Sequence, residues 1–321
     1  MQKSFSNYEY ESKRKQTRRD RFLGELERSV PWKELEEVIA DYYPQGEGPG
    51  RPPIGLKRML RVMVVQNCFG LSDEGMEDAI YDSQAIRGFV GIDLSRESAP
   101  DATTILKFRR LLEKHNLTRA IFEKINGYLA AKGLFLREGT IVDATLIAAP
   151  SSTKNKDKAR DPEMHQSKKG NQWYFGMKAH IGVDMESGLV HTISATSGNV
   201  SDVTEAHALL HGDEKYVMGD AGYIGIEKRE ENVDKTEVEW FIAARRSQVK
   251  KIVDEKARGA FEKLESAKAS IRSKVEHQFH VVKNLFKYRK ARYKGLAKNE
   301  AQLFTLFSLA NLVLARRQLP I

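Results

Sequence analysis

Three carboxylates stand where a metal-binding centre could be built. Asp143 interrupts the apolar run of residues 140–147 (TIVDATLI), and Asp220 follows the apolar segment of residues 215–219 (KYVMG). A charge inside an apolar strand is unfavourable unless it is paired or binds a metal. Glu276 lies on a long basic helix predicted near the C-terminus. Mg²⁺ and Mn²⁺ prefer carboxylate oxygens, and two such ions can activate an attacking hydroxyl and stabilise the leaving oxygen of a phosphodiester.

Cations flank Glu276 on the same predicted helix. Arg272, Glu276 and Lys283 are spaced by four and seven residues, so at 3.6 residues per turn they share one face. This arrangement suits a metal ligand whose neighbours hold phosphates. His277 is a candidate proton donor, although a contact to a backbone phosphate or to the core is its simpler role.

The charge distribution indicates a polyanionic partner. The net charge is +9, from 53 Lys and Arg against 44 Asp and Glu, and residues 245–298 alone hold 17 basic against 5 acidic residues. Such a concentration is typical of nucleic-acid binding, although a solvated helix surface can also be charged. Lys287 and Arg289, which follow the predicted helix, are therefore further candidates for DNA contact.

Residues 173–183 alternate as a β-strand that places Lys178 and His180 on one side. Lys178 is the better candidate for a phosphate contact. Trp173 and Phe175 are predicted to be structural, and Asp184 to make the turn of a hairpin.

The order of elements predicts an α/β protein with a ribonuclease H-like catalytic domain, a mixed five-stranded sheet with helices. Three strands precede the first helix of that domain, and strands and helices then alternate. In this layout the first and fourth strands are neighbours, so Asp143 and Asp220 would meet at adjacent strand ends. The predicted strands are 140–147, 173–183, 189–195, 215–220 and 238–243, and the helices are 199–210, 222–231 and 257–286.

The predicted domains are residues 1–134 and residues 135–321. The first begins with a basic, frayed arm (residues 1–21), followed by helices from residue 31 to 133 around a loop at 46–53. It would bind DNA or dimerise. In the second, residues 150–171 are predicted to be a polar, mobile loop, and residues 303–314 a packed helix.

Several classes of protein are not expected. The sequence has no apolar run of 18 residues and no apolar core typical of a signal peptide near its start. Its one cysteine, Cys68, leaves no pair for a disulfide. We therefore expect a protein of the reducing cytosol that does not enter membranes.

Several motifs resemble bacterial insertion-sequence transposases of the insertion-sequence-five family, a branch of the DDE superfamily. Together they extend over nearly the whole chain. They are residues 72–80 (SDEGMEDAI), 100–104 (PDATT), 142–145 (VDAT), 151–155 (SSTKN), 170–173 (GNQW), 176–184 (GMKAHIGVD), 220–223 (DAGY) and 274–277 (KVEH).

The resemblance implies that Asp143, Asp220 and Glu276 are the catalytic triad and bind two Mg²⁺ or Mn²⁺ ions. It also implies cleavage at transposon ends, joining of the 3′-hydroxyls to target DNA, and a homodimer or larger synaptic complex. The family signature Tyr-x2-Arg-x3-Glu-x6-Lys is matched at Arg272, Glu276 and Lys283, but its tyrosine position is Ala269.

Two alternatives use the same residues differently. A ribonuclease H-like nuclease or resolvase would cleave DNA without strand transfer, and a domesticated transposase would only bind DNA. The intact triad favours an enzyme over the second alternative.

Overall fold

The computed structural model describes Tyr10 and residues 12–46, 52–156, 158–316 and 318–319. Within these residues the chain forms two compact units, one reaching to Tyr128 and including the residues from Leu312 onward, the other being Leu129–Asn311. The predicted domain boundary lies six residues later and assigned the C-terminal residues to the second domain. Parts of the predicted basic arm (1–9 and 11) and loop (47–51) lie outside the described residues. No helix in the described part is long and apolar enough to cross a membrane.

Helices form the described N-terminal part, as predicted. Ser72 and Asp101 cap two of them, accepting hydrogen bonds from the amides of Gly75 (2.9 Å) and Thr104 (2.6 Å). The third helix is apolar on nearly all sides and most of its residues are buried, so it forms the centre of the unit. The helices are α1 Arg18–Ser29, α2 Trp32–Ala40, α3 Leu56–Phe69, α4 Asp73–Asp82, α5 Gln84–Val90, α6 Ala102–Lys114 and α7 Leu117–Ala131.

Helix α1 corrects the expectation of a frayed arm through residue 21. Thr17 and Asp20 form a capping box, in which Thr17 Oγ1 accepts from the Asp20 amide (3.1 Å) and the Asp20 carboxylate accepts from the Thr17 amide (2.7 Å). The Lys13 ammonium lies 2.6 Å from the same carboxylate. These bonds begin the helix inside the basic segment.

One mixed sheet organises the second unit and confirms the predicted ribonuclease H-like class. Strand β1 lies between antiparallel β3 and parallel β5, and β6 adds in parallel to β5. Strands β4 and β2 pair with successive lengths of β3. The strands are β1 Gly139–Ala148, β2 His165–Lys169, β3 Gln172–Asp184, β4 Val190–Ser197, β5 Tyr216–Gly219 and β6 Glu239–Ile242.

Strand β2 replaces part of the predicted mobile loop. It pairs antiparallel with β3 through a two-residue turn, in which Gly170 takes φ +60°. Its polar residues show no alternation, because a strand at the end of a sheet need not bury one face. The sequence pattern therefore did not reveal this sixth strand.

Helices surround the sheet, and some are shorter than predicted. The segment 199–210 is a short helix, α8 Asp202–Glu205, followed by a 3₁₀ turn, and 222–231 is a series of 3₁₀ turns interrupted at Gly225 (φ +91°). The predicted basic helix is confirmed as α10 Glu255–His280, which continues as π-helix over Val281–Leu285. The remaining helices are α9 Arg246–Val249 and α11 Leu296–Ala315, whose residues 302–313 are buried as expected.

The register of β1 against β5 aligns two of the predicted site residues. Ile141 is paired with Met218 in the parallel ladder. Continuing that register by two residues brings Asp143 alongside Asp220, the residue immediately after β5. The ladder therefore places both aspartates at the same edge of the sheet.

A close backbone contact between β1 and β3 gives the first prediction. A Cβ atom added at Gly176 would lie 2.1 Å from the Ile147 carbonyl oxygen, whereas one added at Gly259 on α10 would meet nothing within 4 Å. We expect Gly176→Ala to lower the free energy of unfolding by at least about 2 kcal/mol. Gly259→Ala should raise it by about 0.5–1 kcal/mol, because alanine is the better helix former.

Guanidinium unfolding of both variants checks this prediction. Wild-type stability for Gly176→Ala would show that the two strands are not so close.

Candidate active site

A cleft of about 1110 Å³ in the second unit brings together eight of the nine residues predicted to be catalytic or to bind DNA; we call it the carboxylate cleft. Its walls come from β1, the β2–β3 hairpin, α8 and α10 with the π-helix that follows. The eight residues are Asp143, Lys178, Asp220, Arg272, Glu276, His277, Lys283 and Arg289. Lys287 is exposed, has φ +61° and does not line the cleft.

Asp143 is a partly buried carboxylate on β1. Its Oδ1 accepts a hydrogen bond from the Ala144 amide at 2.7 Å. Burial raises its pKa to about 7; the Ala144 hydrogen bond opposes this rise, and the negative charges of Asp220 and Glu276 add to it. A negative charge at Asp143 therefore needs a cation near it at neutral pH, and the guanidinium of Arg272 supplies part of that compensation.

Asp220 and Glu276 approach the cleft from separate elements. Asp220 follows β5, and its Oδ1 accepts from the Gly222 amide at 2.7 Å. A Cβ on Gly222 would lie 2.8 Å from that oxygen, so the tight turn favours glycine. Glu276 is exposed on α10.

On the same helix Phe279 is buried with its ring centre 6.4 Å from that of Phe307, so Phe279 packs in the core.

The carboxylates suit a divalent cation by donor type. Among the described residues, however, no group of three or more His, Cys, Asp or Glu side chains is placed to hold a metal ion directly. The fit rests on the shared cleft and on Asp143, whose raised pKa reports both desolvation and the repulsion of two further acids. To bind the same ion, the three carboxylates would have to move closer together. The exposed side chain of Glu276 has room for such a movement.

Cationic side chains also line the cleft, and Lys283 and Arg289 are among those held by hydrogen bonds. Lys283 lies in the π-helix, and its ammonium donates to Thr145 Oγ1 (2.6 Å) and to the Leu146 carbonyl (2.8 Å). The Arg289 guanidinium donates to the Lys283 carbonyl at 3.3 Å. The π-helix thus holds the Lys283 ammonium against β1, where its partner Thr145 is two residues after Asp143.

Asp202 is a cleft residue that sequence analysis missed. Its Oδ1 lies 2.9 Å from the Lys178 ammonium, which also donates to the Val200 carbonyl at 2.7 Å. His180, on the same side of β3, is fully buried, and its Nδ1 lies 3.9 Å from the same oxygen of Asp202. Burial lowers the pKa of His180 to about 4, so this histidine is neutral. The sequence offered one indication of this position: Asp202 lies near the start of a predicted helix that directly follows a predicted strand.

The predicted turn role of Asp184 is confirmed. It is buried, and its carboxylate accepts from the amides of Arg137 (3.0 Å) and Ser187 (2.8 Å) and from the Ser187 hydroxyl. Trp173, which was predicted to have a structural role, is 63% exposed. It lies where β3 has passed the end of β1 and is paired with β2.

Two family matches cover most of the chain. Residues 134–312 match the family described as the transposase DDE domain, and residues 11–111 match one described as a transposase domain (DUF772). The first match alone spans more than half of the 321 residues. The chain belongs to the DDE transposase family. This membership confirms the predicted DDE superfamily and implies DNA binding and metal-dependent nucleotidyl transfer.

The pKa of Asp143 predicts how the contribution of this carboxyl group to the stability of the DDE transposase depends on pH. The carboxyl binds its proton more tightly in the folded state (pKa about 7) than in the unfolded state (3.8). In metal-free buffer, the contribution of Asp143 to the free energy of unfolding should therefore fall as the pH rises from about 4 to 7. Asp143→Asn removes that loss, and we expect it to be more stable than wild type at pH 8 by on the order of 3 kcal/mol.

Urea unfolding in EDTA at pH 4.5 and pH 8 checks the difference. Glu262→Gln, an exposed change on α10, is the control and should behave alike at both pH values. An equal effect of Asp143→Asn at the two pH values would contradict the raised pKa.

Proposed function

We propose that this chain is the transposase of an insertion-sequence-five type element. It binds the terminal inverted repeats, hydrolyses the end phosphodiesters and joins the 3′-hydroxyl ends to target DNA. The proposal depends on one observation: Asp143, Asp220 and Glu276, from three separate elements, line one cleft that also contains several cationic side chains, among them Lys178, Arg272 and Lys283. The match to the transposase DDE domain supports it.

The carboxylates and the cations have complementary roles in this proposal. Asp143, Asp220 and Glu276 would hold two divalent ions, which supply the charge that activates water and stabilises the leaving oxygen. Arg272, one turn before Glu276, presents a planar guanidinium that can bind two phosphate oxygens at once. Lys178 and Lys283, held by their hydrogen bonds to neighbouring elements, place ammonium groups along the same strand of DNA.

The protein has two requirements besides the cleft. An element has two ends, so joining them requires at least two copies of the chain in a synaptic complex. The helical N-terminal unit is the proposed reader of the inverted repeats. Between Asp220 and Glu276 the described residues form one strand, β6, with short helices and turns before α10. This leaves no large β-rich insertion, so the proposal includes no hairpin intermediate on the DNA end.

End cleavage and end joining test the proposal. The assay uses purified protein, a duplex that carries the inverted repeat flanking the gene, a target plasmid and Mg²⁺ or Mn²⁺. We expect Asp143→Asn and Glu276→Gln to reduce both reactions at least about 10³-fold, because each removes a charge that balances the metal ions. Glu262→Gln, on the same helix and outside the cleft, should react like wild type.

Three results would contradict parts of this proposal. Cleavage without joining would indicate a nuclease or resolvase. Specific binding without reaction in either metal would indicate a DNA-binding protein without catalysis. Full activity of Asp143→Asn would remove the assigned triad.

Removal of single positive charges separates the cleft from its surroundings. Arg272→Gln removes a charge inside the cleft and Lys287→Gln removes one outside it. For Arg272→Gln we expect weaker end binding and a salt dependence reduced by about one counterion. Lys287→Gln should change both much less. Filter binding between 50 and 200 mM salt measures this, and equal effects would place DNA along both residues.

A further inference from the structure

Trp173 leaves a large apolar surface in water. It is 63% exposed, whereas the other two tryptophans are partly buried. The Trp32 indole donates to the Glu27 carbonyl (3.2 Å) and packs edge-on against Phe89 (5.9 Å between ring centres), and Trp240 packs against the core of the second unit. An exposed indole is unfavourable by itself, so this position calls for a binding partner.

The hairpin that carries Trp173 is ordered by its own hydrogen bonds. Strands β2 and β3 pair residue by residue from Lys169–Gln172 to His165–Gly176. The turn between them has two residues, with Gly170 in the left-handed region. Trp173 is thus presented by paired strands, which lowers the entropy that binding would remove.

The hairpin also forms one wall of the carboxylate cleft. Ser167, Lys168 and Tyr174 line the cleft that contains Asp143 and Asp220. Trp173 is the direct cross-strand neighbour of Lys168, whose ammonium lies 5.9 Å from the indole ring centre. Trp173 itself does not line the cleft, but both its cross-strand partner Lys168 and the next residue, Tyr174, do, so the indole lies beside the cleft and next to a positive charge.

The surroundings of Trp173 suit a nucleic-acid base better than a protein surface. A single aromatic ring beside cations is typical of sites where bases stack while their phosphates are neutralised. Lys168 beside the ring, with Lys283 and Arg289 in the same cleft, supplies that charge. Inside a duplex both faces of a base are covered, so the ring can only reach an unpaired or terminal base.

We propose that Trp173 stacks on an unpaired DNA base at the rim of the carboxylate cleft and thereby holds the strand whose phosphodiester enters it. This inference rests on the proposed function, because it assumes that DNA occupies the cleft. It adds a ligand, the face of a base, and a residue outside the triad that recognises it. Stacking does not depend on base identity, so Trp173 would position the strand without reading its sequence.

Fluorescence with two DNA probes tests the proposal on the full-length protein in EDTA, where no cleavage occurs. The probes are a blunt duplex and the same duplex with a three-nucleotide single-stranded tail that contains 2-aminopurine. We expect the tailed duplex to quench tryptophan emission and to bind more tightly, and the 2-aminopurine emission to fall on binding. Quenching should be absent in Trp173→Phe.

Affinity measurements separate stacking from a structural role of the side chain. Trp173→Ala should weaken binding of the tailed duplex about 5- to 100-fold, and Trp173→Phe should restore part of it. Binding of the blunt duplex should change less than about twofold in both variants. Tyr81→Ala, an exposed aromatic (46%) in the first unit, should bind both probes like wild type, and circular dichroism should show unchanged folding in all variants.

Other outcomes overturn the inference. If Trp173→Ala binds both probes like wild type and still cleaves and joins DNA, the stacking role is wrong and the proposed function stands. If neither probe is bound by any form, both proposals fail. If Trp173→Ala instead dissociates a dimer in the absence of DNA, the indole is a contact between two copies of the chain.

Discussion

The parallel pairing of β1 with β5 is the constraint on which the site depends. It aligns two aspartates at one sheet edge, where burial of Asp143 and the negative charge of Asp220 both raise the pKa of Asp143. Helix α10 then brings the third acid and Arg272, and the π-helix that follows ties Lys283 back to β1. Each element thus contributes to a site that only becomes favourable when positive charge enters it. A family that transfers nucleotides with divalent ions uses that condition directly, because the same repulsion that weakens the metal-free protein favours metal binding.

Two lysines of the carboxylate cleft are held in place by hydrogen bonds within the protein. Lys178 is held by Asp202 and a backbone carbonyl, and Lys283 by a hydroxyl and a carbonyl of β1. Side chains held in this way lose less conformational entropy when a phosphate binds. If DNA occupies the cleft as proposed, fixed ammonium groups would also favour one path of the strand, which a flexible basic tail would not.

Much of this arrangement could be predicted from sequence, for physical reasons. The five main strands and the buried C-terminal helix give local signals as apolar runs, and Asp143 gives one because an acid inside an apolar strand is rare. Asp220 and Glu276 were recognised from their places relative to these elements and from the family resemblance. Asp202 gave no such signal, since an acid in the first turn of a helix is common. Strand β2 was missed because its residues are polar on both sides, and helix α1 because its capping box lies among charges. Exposure of Trp173 depends on where β1 ends, which no local pattern shows.

The β1–β5 ladder also limits how the lineage of this protein can change. Residues 143 and 220 stay aligned only while Gly139 remains opposite Tyr216. Loss of one residue at the start of β1 would turn every later side chain to the other face of the sheet. The same deletion would displace both the carboxylate of residue 143 and the β1 oxygen atoms that accept hydrogen bonds from Lys283. The connection between β1 and β2 can vary in length without that effect. A one-residue deletion in β1 would therefore separate Asp143 from Asp220 while leaving both acids in the sequence.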